Sequence, residues 1–231
     1  MTPVAPSSAP LLCLFDIDGT LVHVAEELAF AQAFQEQCGP DVDLSFSPGL
    51  LVSDTAYVHD VLTRAYGRAA AAAETAALLA RFVELLAAHT ASGHAPLRIV
   101  AGAAPFVDAL AARTPLALST GCVEPSARLK LRRAGLAAAF PCGGFSTGER
   151  SRADIVRRAI AAAERWYATR FHRTVLFGDG PWDLSSAREA EIEFIGINEQ
   201  AHGRARLLDA GATHVFADFA DAGAILRLLA D

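Results

Sequence analysis

Asp16 and Asp18 stand one residue apart in "LFDIDGTL", at the end of a short apolar run, and Gly19 and Thr20 follow at once. Carboxylates this close repel each other, and a divalent cation between them removes the difficulty. Mg²⁺ takes one or two carboxylates and completes its oxygen shell with water and substrate phosphate. With the charge neutralised, Asp16 can attack phosphorus as a nucleophile and form an aspartyl-phosphate. Asp18 can then protonate the leaving alcohol and later deprotonate the attacking water. Gly19 permits a tight turn, and the amides around Gly19 and Thr20 can offer donors to an anion. An ordinary turn or helix N-cap uses the same residue types, so the pair does not decide the matter alone.

Further along, "FGDGPWDLSSA" puts Asp179 at the end of a second apolar run and Asp183 at the start of a helical pattern. Asp179 can reach the same cation. Asp183 can orient it or bond metal-bound water, and a plain helix-capping role fits it too. "LALSTGC" supplies Ser119, Thr120 and Gly121 just ahead of a helix, where hydroxyl and amide donors can hold a phosphate.

These residues need a frame that brings them together. Apolar runs at 11–15, 115–120, 174–179, 193–197 and 213–217 read as strands, and the stretches between the later ones read as amphipathic helices. Strands alternating with helices predict an α/β fold with a doubly wound parallel sheet, which binds ligands at the carboxyl ends of its strands. Between the first two strands lie helical patterns ended by Gly39 and Gly67, too long for a simple crossover. The expected organisation is a flexible tail at 1–10, a core made of 11–21 and 96–231, and a helical cap at 22–95 over the strand ends. "SGHAPLRIVAG" is expected to return the chain to the sheet.

The 231 residues are 52% hydrophobic and 20% charged with a formal net charge of -6. That balance gives no electrostatic reason to expect nucleic acid or an anionic membrane as partner. The four cysteines, Cys13, Cys38, Cys122 and Cys142, form no C-x-x-C pair and read as reduced thiols of a cytoplasmic protein. No apolar segment is both long enough and free enough of charge to span a bilayer. A small phosphorylated metabolite is the expected partner.

The chain order Asp-x-Asp, Thr-Gly, Gly-Asp-x-x-x-Asp resembles the haloacid dehalogenase (HAD) superfamily of phosphotransferases, and the insertion at 22–95 is similar to that family's helical cap of the first type. The stretch from Leu118 to Ile155 looks most like a bacterial subgroup resembling phosphoglycolate phosphatase. The resemblance implies that Asp16 is the nucleophile, Asp18 the acid/base and a main-chain metal ligand, Thr120 the second-motif hydroxyl, and Asp179 a metal ligand supported by Asp183. Where that subgroup has Thr-Gly-Asn, this chain has Cys122 in place of Asn.

The family's third motif is a cation between nucleophile and phosphate. Arg152, at the start of a helix, and Lys130, the single lysine of the chain, both fit. Position favours Arg152, because a helix N-terminus lies at the active edge of the sheet. Asp18 speaks against a dehalogenase, and the lack of a cap lysine speaks against a phosphonatase. Leu28 and Asp54 fall where a sugar phosphomutase of this type carries a histidine and an arginine. A phosphatase is therefore expected, with another phosphotransferase or a HAD-like binding protein as the alternatives. His23, close behind the catalytic loop, and Asp54, His59 and Arg64 in the cap are candidates to face the substrate.

Overall fold

The computed structural model describes residues 10–230. The tail expected at 1–10 lies, except for Pro10, outside the described residues. The chain begins with β1 (Leu11–Phe15) and β2 (Val22–Val24), then α1 (Glu27–Cys38), α2 (Asp54–Tyr66), α3 (Ala72–Ser92), β3 (Leu97–Ile99) and α4 (Ala103–Ala111). It continues with β4 (Leu116–Ser119), α5 (Glu124–Ala134), β5 (Gly143–Gly144), α6 (Arg152–Tyr167), β6 (Arg173–Gly178) and α7 (Pro181–Glu189). β7 (Glu193–Ile197), α8 (Ala201–Asp209), β8 (Val215–Phe216) and α9 (Ala222–Ala230) complete it.

Six strands form one sheet in the order β5-β4-β1-β6-β7-β8, and each neighbouring pair is parallel. A parallel sheet must be covered on both faces, and the side-chain alternation of its central strands shows how. Cys13 and Phe15 of β1, Leu116 and Leu118 of β4, and Val175 and Phe177 of β6 enter one core, closed by α4, α5 and α9. Leu12, Leu14, Ala117 and Leu176 enter the opposite core, closed by α6, α7 and α8. Phe15 and Phe177 stack across β1 and β6 with ring centroids 4.5 Å apart, and both are fully buried. Burying a side chain of this size is worth about 1.5–3 kcal/mol. The two strands that carry the aspartate pairs are thus tied together directly beneath their ends.

The chain leaves β1 for one side of the sheet, through β4 and β5, and then crosses to β6 on the other side. The strand order therefore reverses at β1, where ligand crevices form in such sheets.

The return at 97–99 differs from expectation. β3 does not join the main sheet; it pairs antiparallel with β2, Val22 opposite Ile99 and Val24 opposite Leu97. The insertion must leave and re-enter the core at one place, and this two-stranded ribbon is the stem that lets it do so. Segments as short and mixed as Val-His-Val and Leu-Arg-Ile carry too little periodicity to announce a strand. Beyond the stem, α1, α2 and α3 build a core of their own around Phe30, Phe34, Tyr57, Leu78 and Phe82. The four cysteines are free thiols. Among the described residues, no helix is long and apolar enough to cross a membrane.

Candidate active site

Asp16 follows β1 directly, Thr120 follows β4 and Asp179 follows β6. Because these three strands are parallel neighbours, their ends meet. The Asp16 amide donates to the Phe177 carbonyl at 2.9 Å and the Thr120 amide to the Gly144 carbonyl at 3.2 Å, which extends the ladder past the strands. Asp183 sits in the first turn of α7, 1% exposed, with one carboxylate oxygen accepting from the Gly180 amide at 3.2 Å.

Asp16, Asp179 and Asp183 each offer a carboxylate oxygen within 4.8 Å of the others. Burial, then the Asp183 charge, pushes the Asp16 carboxyl up to about 7, with Arg152 opposing the rise. Burial, then Asp183 and Asp16, pushes Asp179 up to about 9. Acidic groups gathered and desolvated in this way resist ionisation until a cation joins them. An all-oxygen donor set of this kind suits Mg²⁺ and similar hard ions. Asp18 Oδ1 and Thr20 Oγ1, both buried, also have no hydrogen-bond partner in the protein, so polar capacity remains at this edge for a ligand.

The anion cradle expected from the Gly19 and Thr20 amides is not there. The Gly19 amide donates to the Val22 carbonyl at 2.8 Å and the Thr20 amide to the Ile17 carbonyl at 3.3 Å, so the turn itself consumes both. Gly19 is needed for other reasons. Its φ is +77°, and a Cβ there would strike the Asp179 carboxylate. Gly121, by contrast, lines the cleft, and a Cβ on it would meet the Arg152 guanidinium and the Val52 carbonyl, 2.7 Å away.

Both candidate cations reach the site, on different carboxylates. Arg152, the first residue of α6, hydrogen-bonds Asp183 through Nη2, which lies 3.9 Å from Asp16 Oδ1, while its Nη1 donates to the Val52 carbonyl at 2.7 Å. The contrast drawn from helix position fails for Lys130. Its side chain is fully buried, and Nζ donates to Asp18 Oδ2 at 2.6 Å and to Glu26. Lys130 shares the buried stripe of α5 with Ala127, Leu131 and Ala134. A charged residue on a core-facing stripe demands a partner, and that was the available signal.

Two neighbours of Asp18 make contacts the sequence did not disclose: Cys122, visible there only as a replacement for Asn, and Glu26. The Cys122 thiol donates to Asp18 Oδ2 at 2.9 Å and lies 3.3 Å from Lys130 Nζ. Glu26, just ahead of α1, is pushed up to about 8 by burial and then by the Asp18 charge, with Lys130 opposing. Nothing local in the sequence marks it.

The cap candidates divide. His23 lines the cleft, with Nε2 2.8 Å from the Glu199 carboxylate. Asp54 also lines it, but its carboxylate accepts from the Val123 amide at 2.8 Å. Its own amide donates to the Gly121 carbonyl at 2.8 Å, so Asp54 fastens the insertion to the core. His59 is exposed and Arg64 is bound to Asp43 and Asp60; neither lines the cleft.

Comparison with known proteins places this geometry. The family model for haloacid dehalogenase-like hydrolases matches residues 11–191. The chain is 28% identical over 217 residues to the tyrosine-protein kinase PtkA of Mycobacterium tuberculosis, covering 91% of this chain and 69% of that one. It is also 28% identical over 226 residues to the phosphoglycolate phosphatase of Rhodospirillum rubrum, covering 93% and 90%. The crystal structure of CbbY from Rhodobacter sphaeroides in complex with phosphate shares the fold, with a TM-score of 0.67, 21% identity, and coverage of 94% of this chain and 97% of that one. With the family model spanning the Asp16, Thr120 and Asp179 strand ends alike, the chain belongs to the haloacid dehalogenase-like hydrolases.

Proposed function

We propose that this hydrolase is a Mg²⁺-dependent phosphatase of small phosphorylated metabolites, with Asp16 as nucleophile and Asp18 as acid/base. The observation that carries the reading is the meeting of Asp16, Asp179 and Asp183 within 4.8 Å at the ends of adjacent strands. Asp16, Asp179 and Asp183, with the Asp18 main chain, would hold the ion. When bound, it supplies the positive charge that lets a carboxylate approach a phosphate.

In the first half-reaction an Asp16 oxygen bonds to phosphorus as the bond to the leaving alcohol breaks, and Asp18 delivers a proton to the alcohol oxygen. In the second, Asp18 takes a proton from water, the water oxygen bonds to phosphorus, and the bond to Asp16 breaks. Arg152, 3.9 Å from Asp16, is placed to bind phosphoryl oxygens. Lys130 orients Asp18 rather than the phosphate. The curated relatives include both a kinase and a phosphatase, and these differ in what accepts the phosphoryl group, so the product decides between them.

Hydrolysis of an aryl phosphate with Mg²⁺, releasing inorganic phosphate, is the test. Turnover that vanishes with EDTA and in Asp16→Asn supports the reading. A folded protein that releases no phosphate from a broad panel of esters refutes it.

A further inference from the structure

The cleft over Asp16 holds about 1200 Å³, above the roughly 300–1,000 Å³ common for small-molecule sites. Away from the strand ends its wall is apolar, with Leu28 and Phe30 of α1, Leu44 and Phe46 of the loop that follows, and Tyr57 of α2. Leu28 is 47% exposed and Phe46 58%, which makes them two of the four large hydrophobic side chains left exposed among the described residues. Phe46 stacks on Tyr57 with ring centroids 4.4 Å apart and planes at 13°. The Tyr57 hydroxyl is spent on the Leu44 carbonyl at 2.9 Å, so the paired rings present carbon to the cleft. Exposed apolar surface gathered in one place marks a surface that something covers.

The charges of the cleft narrow what that is. Its basic side chains among the described residues are His23, Arg98 and Arg152. Arg98 makes two hydrogen bonds to Glu199, at 3.0 and 2.6 Å, and His23 lies 2.8 Å from the same carboxylate. Arg152 bonds Asp183 and is already assigned to the phosphoryl group beside Asp16. The carboxyls on the cap side are Glu26, bonded to Lys130, Asp54, which accepts from the Val123 amide, and Glu27. A leaving alcohol bearing a carboxylate would lose its hydration and find no unspent cation.

Resting on the phosphatase reading, we propose that the alcohol released is bulky, uncharged and aromatic, seated against Phe46 and Leu28. The test compares kcat/KM for 2-phenylethyl phosphate with that for ethyl phosphate, phosphoglycolate and phosphocholine, all alkyl esters, so that the reactivity of an aryl leaving group does not decide the ranking. The phenylethyl ester is expected to lead the others by about tenfold or more, the scale set by burying several carbons in an apolar pocket. Phe46→Ala should shrink that lead several-fold, and Leu28→Arg should shift the ratio toward phosphoglycolate by about tenfold. A wild-type preference for phosphoglycolate, phosphocholine or the ethyl ester, with turnover intact, overturns this proposal and leaves the phosphatase reading standing. No turnover of any ester by the folded protein overturns both.

Discussion

Lys130 and Asp18, 112 positions apart in the chain, meet in a hydrogen bond of 2.6 Å beneath the nucleophile loop, and the lysine side chain has no solvent exposure. The bond draws one oxygen of Asp18 away from the carboxylate cluster and leaves Oδ1 unpartnered. One oxygen is thus anchored while the other has no partner in the protein.

Removing that anchor should be costly. Lys130→Ala leaves Asp18 and Glu26 without their shared counter-charge, and breaking a buried pair costs about 3–5 kcal/mol. Asp18 and Glu26 keep 32% and 24% of their side-chain exposure, so a loss of about 3 kcal/mol is expected in urea unfolding. Adding Glu26→Gln should recover part of it, and no recovery would show that the two residues are not coupled.

Arg152 should matter to turnover, beyond the stability lost by leaving buried Asp183 unpaired. Taking away one preorganised charge at a reacting phosphoryl group typically costs 10²–10³ in kcat, and Arg152→Ala is expected to fall in about that range. If Arg152→Ala turns over at close to the wild-type rate while a folded Lys130 variant is dead, the two cations have been assigned the wrong way round.

Asp16→Asn should abolish turnover yet stabilise the metal-free protein at alkaline pH. The folded-state value of Asp16, about 7 against the ordinary 3.8, means that its contribution to stability is present at low pH and disappears as pH rises through about 7. The neutral amide escapes that loss. In EDTA near pH 8.5 the variant should exceed wild type by at least about 1 kcal/mol, well under the full shift at 1.36 kcal/mol per unit. Urea titrations showing the amide to be less stable would refute this.

Mg²⁺ should bind more tightly as pH rises. Without metal, Asp16 and Asp179 hold their protons up to about 7 and about 9, and a cation must displace those protons to bind. At a fixed Mg²⁺ concentration the increase in Tm should be larger near pH 8.5 than near pH 6, and calorimetry in two buffers should register proton release. A pH-independent shift would place the ion elsewhere.

The sheet was legible because its strands are buried on both faces, so apolar runs such as "TVLFGD" stand out without any alternation to interpret. Asp16, Asp179 and Asp183 were legible because each follows such a run or opens a helix. The ribbon of β2 and β3 was not, since three-residue strands leave no period. Glu26 and the role of Cys122 were hidden for another reason: Glu26 bonds Lys130 and the Cys122 thiol bonds Asp18, each across 104 positions, and contacts that long leave no mark on local spacing. The Gly19 amides were misjudged because a tight turn and an anion nest ask for the same residues, and only the hydrogen bonds tell them apart.

Arg152 grips both parts of the molecule at once, the Val52 carbonyl in the insertion and Asp183 in the core. Were the Val52 segment to move away, the guanidinium would lose one of its two holds, and its aim toward Asp16 would loosen with it. An alcohol so large that the Val52 loop could not settle would therefore be admitted but poorly aligned. The upper limit on substrate size would then be set at the phosphate end, by a backbone carbonyl acting on an arginine, rather than by the walls that touch the alcohol.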